Sequence, residues 1–391
     1  MRSRYRIPVV AATLLLLGSL AAPVSAQAGP TAPGPAQAVA YQISVSHDGY
    51  SGDTTITPPL TAQWTIQFAG PVSYPLIAGG MVFVTVADNG GSYGTTLYAL
   101  DQATGATIWS QPISGTYFWS DAAYDGGHIF VLNYDGLLRE FDAATGIPGW
   151  SVQLPGQYAF SSPPTAAGGI VYTGGAGSGG TVYAVSESSG AVLWTQPVAN
   201  GDHSSPALSA ADVYVSYECG LVYAFDRVTG QRRWFSNGPC EGGGGKTPVY
   251  HASKVYARDF TGNKILDAGT GASLGTFQAD PAPAFAGKIG LFLSAGTLRA
   301  VKGKKTRWTF TGAGGLDTAP IAVGDTVYVG SSSGMLYGLT LKKGKVAWST
   351  NVGASIPAPD EQNVSQPLTG LAAGQGLLVV PAGNELAAFT G

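Results

Sequence analysis

The feature that most limits what this chain can fold into is a repeat. LYALDQATGATIW at 97–109 recurs as LREFDAATGIPGW at 138–150, VYAVSESSGAVLW at 182–194, VYAFDRVTGQRRW at 222–234 and LYGLTLKKGKVAW at 336–348. Two degenerate copies, from 264 and from 298, fall in the gap at the right spacing. The period is about 40 residues, within the range of four-stranded propeller blades.

Each copy follows a second apolar run whose alternation marks half-buried strands, not helices. Eight such runs occur, beginning at Met81, His128, Ile170, Asp212, Lys254, Lys288, Thr326 and Leu377. Seven are preceded by a proline-containing entry, at Pro75, Pro163, Pro206, Pro248, Pro283, Pro320 and Pro367, and Asp121-Ala122 fills the remaining place. Each unit therefore reads as an inner strand A, then B, then C, then an outer strand D. The last unit stops at ELAAFTG, residues 385–391, without its D strand, and the run 62–68 at the other end of the chain supplies it. The expected fold is all-β: an eight-bladed β-propeller of four-stranded antiparallel blades over 57–391, closed by an N-terminal strand that completes the last blade. Such closure removes two sheet edges that would otherwise template aggregation.

The repeat's own residues read as structural. Asp101, Asp142, Asp226 and Asp267 open a tight turn, and Gly105, Gly146, Gly230 and Gly271 supply positive φ. Trp109, Trp150, Trp194, Trp234 and Trp348 stand eight positions after the turn opener. Each flat indole is expected to fill the wedge against the next blade. Gly275 holds that place in blade 5, so its wedge is predicted to be the weakest.

The chain begins with Arg2, Arg4 and Arg6, an apolar run and small residues at Val24-Ser25-Ala26, the pattern of a signal peptide over residues 1–26. That run is too short to span a bilayer and no other is longer, so no transmembrane segment is expected. Residues 27–56, rich in Ala, Pro and Gly at their start, read as a flexible lead-in. Without the leader, 17 basic residues face 23 acidic ones, a net charge of -6, which argues against nucleic acid as the ligand. Charged residues make up only 11% of the chain, which excludes a charged helical bundle.

The repeat, with its apolar-Tyr-Ala-apolar-Asp-x-x-Thr-Gly-x-x-x-Trp pattern, resembles the pyrroloquinoline-quinone-like propeller family. That family includes quinoprotein alcohol dehydrogenases and the propeller lipoprotein of the bacterial barrel-assembly machinery. The resemblance covers 57–391 and implies the fold strongly and the activity weakly. The family's enzymes hold a calcium-bound quinone on the axis, with a catalytic Asp and a disulfide between neighbouring cysteines. Here the two cysteines are 21 apart and no matching ligand set is found, so no cofactor, no metal and no catalytic residue is expected. No phosphate loop or histidine pair at metal-ligand spacing occurs.

Strand direction puts B-to-C turns and D-to-A connections on one face. Cys219 and Cys240 both fall there, and in an exported chain they are expected to pair. The same face collects Tyr74, Tyr117, Phe118, Trp119 and Asp121 from blades 1 and 2. Tyr158, Phe160 and His203 follow from the next connections. Trp119 is the one indole outside the repeat positions and is expected at a loop tip as an anchor. The opposite face carries a basic patch, Lys302, Lys304, Lys305, Lys342, Lys343 and Lys345, whereas Ile7 to Leu138 has no Lys or Arg. The functional expectation is a monomeric, exported binding or scaffolding propeller that recognises a protein or glycan of the cell envelope. The alternative is a quinone- or metal-dependent oxidoreductase.

Overall fold

Alternation along the chain becomes eight antiparallel sheets in the computed structural model, which describes Met1 and residues 36–88, 93–238, 240 and 243–391. The inner A strands are Leu76–Ala78, Ser120–Asp125, Thr165–Ala167, Ala207–Leu208, Val249–His251, Ala284–Ala286, Ile321–Val323 and Ala372–Gly374. Each pairs with its B strand, B with C and C with D, giving eight four-stranded blades. The B strands are the most apolar and the most buried, as in Met81–Ala87 and Leu377–Ala382. D strands alternate between half-buried and exposed positions, as in Val346–Asn351, because only one of their edges is paired and they form the rim. Ring closure is as expected. Thr61–Gln67 lies antiparallel to Glu385–Thr390, with Trp64 opposite Ala388 and Gln67 opposite Glu385.

The repeat motif works between blades as well as within them. In blade 2, Asp142 Oδ1 accepts the Thr145 N–H at 2.8 Å and the Thr145 hydroxyl at 2.7 Å, which folds the C-to-D turn and holds the Asp142 carboxyl below its usual range. Gly146 follows at φ +70°, and a methyl group there would lie 2.5 Å from the Trp109 ring of the preceding blade. Trp109 in turn donates its indole N–H to Ala143 O of that same turn at 3.0 Å. Thus the motif's glycine fits both the backbone and the neighbour's indole. Trp64, Trp150, Trp194, Trp234 and Trp308 make the same indole-to-turn hydrogen bond. Between blades 5 and 6, where Gly275 replaces the Trp, a methyl group on Gly275 or on Gly303 of the facing turn would meet nothing within 4 Å. Nearer the axis that junction is filled by rings: Tyr256 packs on Phe277 and Phe285, and Phe285 on Phe292.

The largest departure from the sequence reading concerns the lead-in. The segment 1–26 and residues 27–35 lie outside the described residues, Met1 apart. Residues 36–56, however, are not a flexible lead-in but a built part of the ring. Tyr41 and His47 are wholly buried, and Ala38, Ile43 and Ile56 nearly so. The segment runs around the A-to-B face and pairs its backbone with inner strands in turn. Ala36 O accepts from Gln375 N of blade 8, Ala38 exchanges both bonds with Ile77 of blade 1, and Val39 O accepts from Tyr124 N of blade 2. Val45, Ser46, Asp48 and Gly49 accept from Leu208, Tyr250, Phe285 and Ala322 of blades 4 to 7. His47 Nε2 lies 3.3 Å from the Thr165 hydroxyl of blade 3. Tyr50–Ser51 then adds a fifth, parallel strand to blade 7. The physical reason is the set of unpaired N–H groups that a ring of inner strand edges leaves around its axis, which the segment's carbonyls satisfy. His47 is held between Tyr41 O at 2.6 Å and Pro206 O at 3.1 Å, and burial lowers its pKa.

Candidate functional site

The D-to-A connections are anchored where they enter the A strands. Ser162 donates to Ser204 O at 2.7 Å, Ser205 to Pro163 O at 2.8 Å, and Tyr74 to Ala122 O at 2.7 Å, so neighbouring entries are stitched together near the axis. Only the portions farther out are free to meet a partner.

This stitching divides the sequence-derived candidates into two groups. Tyr74, Trp119, Asp121 and Phe160 are buried. Trp119 is 2% exposed and packs with Phe130, Leu138, Phe160 and Tyr183, so its expected place at a loop tip is corrected: the connection folds inward and the ring belongs to the core between blades 2 and 3. Phe160 lies against Gly136 and Gly175, whose missing side chains make room for it. Tyr158 is 70% exposed and Tyr117 40%, with Phe118 half-buried beside them. Half-buried His203 has Nδ1 3.4 Å from Asp202 Oδ2.

Two aromatic residues missed in the sequence complete the exposed group. Tyr93, in the B-to-C turn of blade 1, is 61% exposed and lies 5.0 Å from Phe118 and 6.4 Å from Tyr117, ring to ring. Tyr134, in the equivalent turn of blade 2, is 4.2 Å from Tyr117. Their signal was the turn composition around them, Gly-Ser-Tyr-Gly and Asn-Tyr-Asp-Gly. Burial and then the neighbouring Tyr117, Asp202, Asp135 and Tyr158 push the Tyr134 hydroxyl above its ordinary pKa, so these groups converge on it. The result is an exposed aromatic shelf over blades 1 to 3 with carboxylates at its border.

The axis beneath is filled by the chain itself. The connection from blade 7 to blade 8 crosses the centre: Glu361 accepts from Thr247 N at 2.7 Å and from Arg258 Nη2 at 2.5 Å on the blade 5 side. Leu368, on the opposite side, accepts from Tyr74 N at 2.7 Å and donates to Asp121 Oδ2 at 3.3 Å. Arg258 and Glu361 are both almost fully buried. Burial pushes the Asp121 carboxyl well above its usual range, the bond from Leu368 opposing it. Among the described residues no three His, Cys, Asp or Glu side chains converge as a metal ion would require. No helix among them is long and apolar enough to cross a membrane.

Cys219 and Cys240 form the expected disulfide, joining the B-to-C turn of blade 4 to the connection leading into blade 5. It closes a separation of 21 residues, for which a chain-entropy estimate gives about 3 kcal/mol. Reduction should therefore lower the denaturation midpoint measurably, and equal urea midpoints with and without reductant would show that the bridge leaves stability unchanged. On the opposite face all six lysines of the basic patch are exposed. Lys342 lies 3.3 Å from Asp325 with both side chains about three-quarters exposed, a pair expected to add little stability. A cavity of about 390 Å³ on that face, lined by Asp48, Arg227, Tyr250 and His251, has its polar groups engaged internally. His251 meets Asp48 and Gly287 O, and Arg227 donates to Ala167 O.

A family model described as outer membrane protein assembly factor BamB matches in overlapping passes, at 61–199, 93–278, 155–350 and 263–390, together nearly the whole ring. The chain belongs to the BamB family. No curated protein matches this BamB-family chain by sequence. Among solved structures it is similar to BamB from Moraxella catarrhalis, with 18% identity and a TM-score of 0.64 over 85% of this chain and 100% of that one. It is also similar to the quinohemoprotein alcohol dehydrogenase of Comamonas testosteroni, with 13% identity and a TM-score of 0.70 over 91% and 80%. A computationally designed protein, Ika8, matches with 16% identity and a TM-score of 0.65 over 83% and 98%. An assembly factor, an enzyme and a designed chain thus share the ring, and function has to be argued from the face.

Proposed function

We propose that this BamB-family propeller is an extracytoplasmic scaffold that holds a protein partner on the aromatic shelf of blades 1 to 3. The observation that carries the reading is the exposure of Tyr93, Tyr117 and Tyr158 together on one face of a ring whose axis is closed by its own chain. Rigid, amphipathic tyrosines are the side chains from which binding hot spots are most often built. The description of the family as an outer membrane assembly factor supports a protein over a glycan partner. The disulfide and the leader pattern support a place outside the cytoplasm.

The test is capture of proteins from an envelope extract by the immobilised mature chain. The double variant Tyr117→Ala/Tyr158→Ala should retain less than about a tenth of the captured protein, equivalent to roughly 1.4 kcal/mol. Lys342→Glu/Lys343→Glu, on the other face, should retain all of it. Equal capture by all three proteins would end this reading. The oxidoreductase alternative draws on the likeness to quinohemoprotein alcohol dehydrogenase. A quinone on the axis would have to displace the connection that carries Glu361, breaking its contact with Arg258. Pyrroloquinoline quinone with calcium should accordingly give no bound-cofactor absorbance after gel filtration, and a bound band would restore the alternative.

A further inference from the structure

The shelf lies in the acidic half of an electrostatically divided ring. Residues 71–198, which build blades 1 to 3, contain eight acidic residues and one basic one, Arg139. Arg139 stands in strand C of blade 2, half-buried, where desolvation lowers its pKa. Residues 246–351, on the far side of the ring, contain thirteen basic residues and five acidic ones. A cationic segment is therefore drawn to blades 1 to 3 and repelled from blades 5 to 7 before any contact forms.

The shelf also has the chemistry to hold a cation once it arrives. The Tyr117 and Tyr134 rings pack on each other with centroids 4.2 Å apart and planes tilted by 44°, and Tyr93 extends the surface beyond Tyr117. Aromatic faces attract ammonium and guanidinium groups through the ring quadrupole. Asp202 adds its negative charge to the field at Tyr134; its Oδ1 is shielded from solvent with no hydrogen-bond partner, and its Oδ2 lies 3.4 Å from His203 Nδ1. Asp135 lies on the same side, fixing the connection through the Thr116 N–H at 2.8 Å. We propose that the shelf receives a lysine ammonium or arginine guanidinium of the partner, set against Tyr117 and Tyr134 with Asp202 and Asp135 as its counter-charges. The proposal deepens the scaffold reading and rests on it for the protein nature of the partner.

Three six-residue peptides alternating Gly with Arg, Ala or Glu serve as probes, titrated into the whole mature protein by NMR up to millimolar concentration. The Arg peptide should bind at least tenfold tighter than the Ala peptide, the Glu peptide should not bind, and raising the salt from 50 to 300 mM should weaken the Arg complex several-fold. Tyr117→Ala and Asp202→Asn should each weaken Arg-peptide binding about tenfold, whereas Lys343→Glu should leave it unchanged. Binding that ignores peptide charge, or that survives both shelf variants, would overturn the cation site. If the shelf variants abolish capture from extract while the Arg peptide fails to bind, the scaffold reading stands and the cation is wrong. Arg-peptide binding at the shelf without any captured protein would instead keep the cation site and remove the protein scaffold.

Discussion

Excising residues 36–51 should lower the thermal midpoint of the protein by roughly 10 °C or leave it unable to fold. The segment buries Tyr41 and Ile43, each contributing about 2 kcal/mol. It also accepts hydrogen bonds from inner strands of blades 1, 2 and 4 to 8, worth about 1 kcal/mol apiece. A loss of at least about 5 kcal/mol follows, and in a domain this large each kcal/mol moves the midpoint by about 2 °C. Gly49→Ala offers a milder test that does not depend on recovering the excised chain. Gly49 has φ +63°, and a methyl group there would lie 2.7 Å from the Ala284 side chain, so a loss of about 1 kcal/mol or more is expected. Calorimetry showing neither protein destabilised would mean that the segment decorates the ring without holding it.

Trp119→Ala should cost about 3–5 kcal/mol, the range for emptying a buried aromatic site. The indole fills the cluster between blades 2 and 3 and has no exposed edge to offer a partner. Tyr117→Ala, two residues earlier, should stay within about 0.5 kcal/mol of the parent while losing partner capture. Urea denaturation and capture, measured on both variants, separate packing from binding. A stable Trp119→Ala protein with tenfold weaker capture would return the indole to the binding surface.

The blades were legible because the repeat fixes both backbone and packing with the same few residues. Asp142 folds its turn, Gly146 allows it, and Trp109 covers it, so spacing alone located the interblade wedges. The axial segment was not legible because its work is done by backbone carbonyls, which leave no mark on side-chain identity; low-complexity sequence at its start looked like a linker. Trp119 was misread because membership of a connection says nothing about burial. A usable signal did exist: Trp119 stands four residues before Ala123, as Val72 stands four before Leu76 at the equivalent place in blade 1. A Val in the matching position marks an inward-facing site. The shelf was half legible, because Tyr117 and Tyr158 stood in recognised connections, whereas Tyr93 and Tyr134 sat in short turns that composition marks only as turns.

Closure of blade 8 has a consequence for the life of the chain before it is folded. Thr61 and Thr390 meet across 329 residues, and a polypeptide delivered from its N-terminus exposes one member of the pair long before the other exists. Until Glu385–Thr390 arrives, Thr61–Gln67 has no sheet to join and blade 8 has no outer strand. Completion of the ring thus waits for Glu385–Thr390, and a chain interrupted before that strand carries two sticky edges that mark it for chaperones or proteases.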